Sequence, residues 1–68
     1  MTPTLFRAAR VRLGLSQAQL ARVLRVGSDR TVRKWEGGER EIPGPAVVLM
    51  EIFAEFPRVF RIFSGQKN

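Results

Sequence analysis

Residues that start and stop helices recur along this chain at intervals too short for a long helix. Thr2-Pro3, Gly14, Ser16, Gly37-Gly38, Gly44-Pro45 and Pro57 divide 68 residues into five short segments. Within each, apolar residues return at three- and four-residue steps. Thr2 is a hydroxyl N-cap, and Pro3 follows in the first turn, where a missing N–H costs nothing. Leu5, Phe6, Ala9 and Leu13 form the stripe of that segment, and Gly14 suits the position just past its end. Ser16-Gln17-Ala18-Gln19 reads as a capping box, the Ser16 hydroxyl reaching the Gln19 amide and the Gln19 side chain reaching back. Leu20, Ala21 and Leu24 make the second stripe. Arg25 to Gly27 is the turn before a third cap, Ser28 or Asp29. Thr31, Val32 and Trp35 follow, and Gly37-Gly38 closes that segment. Gly44-Pro45 starts a fourth, with Val48, Leu49, Ile52 and Phe53 on one face. Pro57 begins or kinks a fifth, containing Val59, Phe60 and Phe63. No stretch alternates as a half-buried strand does, and no repeat or low-complexity segment interrupts the pattern. The pattern predicts one all-α domain of five helices over residues 1–68.

Charge narrows the partners of such a domain. Twelve Lys and Arg stand against six Asp and Glu, for a formal net charge of +6, and the isoelectric point is about 11.6. Residues 1–28 hold five arginines (Arg7, Arg10, Arg12, Arg22, Arg25) and no acid, whereas 29–41 balance and 42–68 carry one excess cation. Ten of the twelve cations are Arg, whose planar fork matches phosphates and guanine edges better than an ammonium does. A small domain this basic is expected to bind nucleic acid, although a solvated basic surface has the same composition. His, Cys and Tyr are all absent. Disulfides and Cys- or His-ligated metal are thereby excluded, and the scattered carboxylates offer no paired acid and base, so no catalytic role is expected. Ser16 and Ser28 are better explained as caps than as nucleophiles. The longest apolar run, Ala46 to Met50, is too short to cross a bilayer. The expectation is a cytoplasmic protein without membrane contact, cofactor, metal or small-molecule ligand.

Gly14-Leu15-Ser16-Gln17 before the second segment and Trp35-Glu36-x-Gly38 at the end of the third carry a resemblance. Together with Leu20, Ala21, Leu24 and Val32 between them, they resemble the helix-turn-helix of the phage-repressor and Cro-like (XRE-type) family over roughly residues 5–56, the motif itself spanning about 16–36. The resemblance implies a compact five-helix, lambda-repressor-like fold. In it the second motif helix enters the major groove of double-stranded DNA. It places base readout on Asp29, Arg30, Thr31 and Lys34. Arg30 is the leading candidate because Arg bonds guanine O6 and N7 together. Asp29 is ambiguous between accepting from a cytosine amino group and capping the helix, with the cap preferred. Phosphate contacts fall on Gln17, Ser28, Arg33, Gly38 and Arg40, and position the protein without reading sequence. The resemblance also pairs Arg10 with Glu36 as a structural tie, which removes Arg10 from the DNA-contacting cations. Arg7 and Arg12 are left on the outer face of the first helix as solvated charges, with contact to phosphate as the lesser alternative. The turn departs from the family pattern: it is one residue longer, and Arg25 stands where Gly is usual. One solution is a second helix that runs one residue further, with Val26-Gly27 as the turn, which leaves the register of Asp29 and Arg30 open by one position.

Phe53, Phe56, Phe60 and Phe63 crowd the last third of the chain. A domain this small cannot easily hide four rings, and exposed apolar patches mark interfaces. Phe56 at the end of the fourth segment, with Phe60 and Phe63 on a tail of about residues 57–68, are therefore candidates for a homodimer contact, with an inverted-repeat operator implied by the two-fold. The function these readings imply is a bacterial or phage-encoded, sequence-specific regulator, a repressor or autorepressor of the kind found beside phage, anti-CRISPR or toxin–antitoxin operons. The competing reading is an antitoxin-like or adaptor module that uses the Phe-rich tail to hold a protein partner, with DNA binding secondary.

Overall fold

The computed structural model describes residues 1–64, and Lys67 and the end of the 57–68 tail lie outside the described residues. Five helices follow in order: α1 (Pro3–Arg12), α2 (Gln17–Leu24), α3 (Asp29–Glu36), α4 (Gly44–Glu55) and α5 (Pro57–Phe63), with no strand among the described residues. Each boundary has a local cause. The Thr2 hydroxyl accepts from the Leu5 amide at 3.1 Å, and Pro3 sits in the first turn. At α2 both halves of the capping box are made: the Gln19 amide donates to Ser16 Oγ at 3.0 Å, and the Ser16 amide to Gln19 Oε1 at 2.8 Å.

Three helix ends share one solution. After α1, Leu15 N–H bonds Arg10 C=O at 3.2 Å and Gly14 N–H bonds Val11 C=O at 2.9 Å, with Gly14 at φ +76°. After α3, Glu39 N–H bonds Lys34 C=O at 2.9 Å and Gly38 N–H bonds Trp35 C=O at 3.2 Å, with Gly38 at φ +77°. After α2 the same pair of bonds runs from Val26 to Ala21 (3.0 Å) and from Arg25 to Arg22 (3.2 Å). This is the Schellman closure, which needs a left-handed residue just past the helix. At α2 that residue is Arg25, at φ 60° and ψ 37°. The longer second helix expected for this turn does not form: α2 ends at Leu24, because Arg25 itself takes the left-handed conformation and stops it.

Phe6, Leu20, Val32, Met50 and Phe53 are fully buried, with Ala21, Val23, Trp35 and Ala46 nearly so. Phe6 of α1 meets Trp35 of α3 edge-on, ring centroids 5.8 Å apart at 86°, an arrangement that aligns ring edge with ring face. α4 closes the core through Ala46, Met50 and Phe53, leaving Leu49 and Ile52 half-buried and Val48 outside. The expected Val48–Leu49–Ile52–Phe53 face is thus rotated toward Ala46 and Met50, in a helix that is apolar nearly all round. Leu5 is likewise exposed, and Val23, absent from the expected α2 stripe, is buried.

The Phe-rich end divides in two. Phe60 and Phe63 each pack on Phe53 with centroids 5.4 Å apart, which docks α5 against α4. Phe56, at the corner between those helices, remains 58% exposed. Of the three rings expected at a dimer contact, two are therefore half-buried in the domain's own packing, because both meet the buried Phe53 ring at steep angles, an edge-to-face geometry aromatic rings favour.

Candidate nucleic-acid interface

The two motif helices are both eight residues long, α2 at 17–24 and α3 at 29–36. Their inner faces are set by residues that must be dry. Leu20, Ala21 and Val23 point inward from α2, Val32 and Trp35 from α3, and the small Ala21 permits a close crossing. With Val32 and Trp35 inward, helical periodicity turns Arg30 and Lys34, four apart, to the opposite side. Arg30 is exposed; Lys34 and Thr31 are half-buried at the flanks of that face.

The two ends of α3 are held differently. At its last turn Glu36 accepts from Arg10 Nε at 2.7 Å and Arg10 Nη2 at 3.1 Å, while Arg10 Nη1 donates to Leu15 C=O at 2.8 Å. The Gln17 side chain donates to Glu36 Oε1 at 3.1 Å. One carboxylate thereby joins α1, the start of α2 and the end of α3, with the Arg10 and Glu36 side chains only 11% and 5% exposed. The Gln17 amide group, given to phosphate in the sequence reading, is committed to Glu36 by one of its N–H bonds. The backbone amides in the first turn of α2 keep no intrahelical acceptor.

At the other end, Ser28 occupies the N-cap position but its side chain makes no capping bond. Nor does Asp29 cap: it is the first helical residue, and its carboxylate accepts from Arg33 Nη2 at 2.7 Å, one turn along. The preferred capping role of Asp29 is corrected, because an acid already inside the first turn lies within reach of a cation at i+4. Arg33 borders Arg7, Arg10 and Gln17 of α1 and α2, off the Arg30–Lys34 face.

The loop after α3 also differs from expectation. The amides of Gly38, Glu39 and Arg40 all donate back to Trp35 and Lys34 carbonyls, closing the helix. Gly38 therefore has no uncommitted polar group to donate, and the exposed Arg40 side chain is what the loop presents. Sequence reasoning missed the Gln17–Glu36 bond, which depends on α2 and α3 meeting, and the Arg10–Leu15 bond, which forms once Arg10 is turned toward Glu36. No group of His, Cys, Asp or Glu among the described residues is disposed to hold a metal ion. No helix among them is long and apolar enough to cross a membrane.

Two short helices crossing on a dry wedge, a left-handed turn between them, and a second helix that presents cations to solvent define a helix-turn-helix DNA-binding domain. Residues 4–50 match the model of the helix-turn-helix domain family, and the chain belongs to that family. The match takes in α1, α2, α3 and more than half of α4, and stops before α5. No curated protein matches the chain.

Proposed function

We propose that the chain is a sequence-specific transcription regulator of the phage-repressor and Cro-like type, acting as a repressor or autorepressor on an inverted-repeat operator. The observation that carries this reading is the solvent face of α3. Arg30 and Lys34 share it, the helix under them is pinned by Arg10–Glu36, and no acid lies between them. In the major groove Arg30 reads guanine and Lys34 reaches a second guanine or a phosphate, with Thr31 at the edge. Asp29 orients Arg33, which meets the backbone at the flank of α3. Arg40, Ser28 and the first-turn amides of α2 hold the backbone.

Two-fold operators call for two protomers, with half-sites about 10–10.5 base pairs apart. The exposed Phe56, with Ile62 at 75% exposure on α5, supports a homodimer through the α4–α5 corner. The same patch suits the second reading, a module that holds a protein partner. Footprinting of the chain on the DNA upstream of its own gene separates them. A protected inverted repeat that is lost with Arg30→Ala and Lys34→Ala supports the regulator; binding untouched by both substitutions sinks the groove assignment.

A further inference from the structure

Besides the Arg30–Lys34 face, a second polar feature adjoins α3. Arg7, Arg10, Gln17, Arg33 and Glu36 line an open depression of about 540 Å³ where α1, the start of α2 and α3 meet. Its charges are not equivalent. Glu36 is matched by Arg10 and bonded by Gln17, so those three groups cancel and are fixed. Arg33 gives one nitrogen to Asp29 and keeps its side chain 61% exposed. Arg7 is exposed and makes no ion pair among the described residues. The uncompensated cation of the depression is therefore Arg7, with Arg33 held across from it by its bond to Asp29.

We propose that this depression binds a phosphate of the DNA backbone between Arg7 and Arg33, making Arg7 a phosphate-contacting residue of the interface. The proposal rests on the DNA-binding reading and names a contact within it. An open depression suits a phosphodiester, which stays largely hydrated on the duplex, better than a ligand that must be enclosed. Its position, on the flank of α3 beside the groove-facing residues, is where a backbone strand passes when that helix enters the major groove. The structure also separates two arginines that sequence alone leaves alike. Arg7 shares the α1 flank of Arg10, three residues on, whereas Arg12 borders a different, apolar groove with Leu5, Phe53 and Pro57.

The test is fluorescence anisotropy of the full chain on a labelled mixed-sequence duplex, titrated with salt. Each neutralised phosphate contributes a log–log slope of about −0.9. Arg7→Ala is expected to weaken binding to every duplex alike and to flatten the slope by about 0.9, with Arg7→Lys recovering most of the loss. Arg12→Ala removes the same charge from the other flank and leaves the slope unchanged. Both positions are exposed, and a thermal melt checks that each variant folds. Equal effects of Arg7→Ala and Arg12→Ala on a chain that does bind overturn this proposal alone; no salt-dependent binding by the unaltered chain overturns the DNA reading with it. A free-anion site is distinguished by inorganic phosphate. If phosphate shifts the Arg7 guanidinium resonance while Arg7→Ala leaves duplex binding intact, the depression takes a free anion and the backbone contact is wrong.

Discussion

Arg10 and Glu36, twenty-six residues apart, meet through two hydrogen bonds of 2.7 and 3.1 Å, and in doing so lock the first helix to the end of the third. The remaining Arg10 donor toward the loop is taken by Leu15 C=O, so the guanidinium is held on both sides. Removing one partner leaves a largely buried, uncompensated charge, and such losses typically cost about 3–5 kcal/mol. Arg10→Ala is accordingly expected to lower the urea midpoint sharply, and Arg10→Met with Glu36→Leu to recover most of the loss. Equal stability of Arg10→Ala and the unaltered chain would show that the pair contributes nothing to the fold.

Arg25 carries a left-handed backbone, φ 60°, that side chains other than those of Gly and Asn adopt at a cost of about 1–2 kcal/mol. Glycine at this position relieves that cost and loses part of the gain to a freer unfolded chain. Arg25→Gly should raise stability by up to about 1 kcal/mol, read as an upward shift in the thermal midpoint. A downward shift would mean that the Arg25 side chain, not the turn, stabilises this junction.

Base readout and backbone contact predict different patterns of loss. Arg30→Ala should cost about 1–3 kcal/mol on the operator and relax preference at one base position. Arg40→Ala should weaken operator and mixed-sequence duplexes by the same factor. Selection of binding sites from a randomised duplex pool, run on both variants, reads the difference directly. Relaxed preference with Arg40→Ala and none with Arg30→Ala would reverse the two assignments.

Phe53 and Phe56, three residues apart in the sequence, end in opposite environments. Phe53 is fully buried under Phe60 and Phe63, so Phe53→Ala should destabilise by about 3–5 kcal/mol. Phe56 is exposed, so Phe56→Ser should leave the melt nearly unchanged and reduce the mass measured by light scattering from dimer to monomer. A monomeric mass for the unaltered chain at high micromolar concentration would remove the dimer from the proposal.

Much of the fold is legible in the chain because helix boundaries are local events. Thr2-Pro3, Ser16 with Gln19, Gly14 and Gly38 act within a turn of themselves, so their caps follow from spacing alone. The inward direction of Val32 and Trp35, and with it the outward direction of Arg30 and Lys34, follows from periodicity. The α2–α3 turn is less legible, because an Arg at a left-handed position gives no compositional signal where a Gly would.

Sequence by itself determined that five short helices form, where most of them begin and end, and which face of α3 is cationic. Only the tertiary structure decided which polar groups are already committed. Asp29 turns to Arg33, Gln17 to Glu36, and the amides after α3 to its own carbonyls, because each bond depends on atoms brought together by packing or by a helix already formed. It likewise decided which face of α4 is buried and which of the late phenylalanines remain outside. A nearly all-apolar helix has no preferred inner face until a neighbour supplies one.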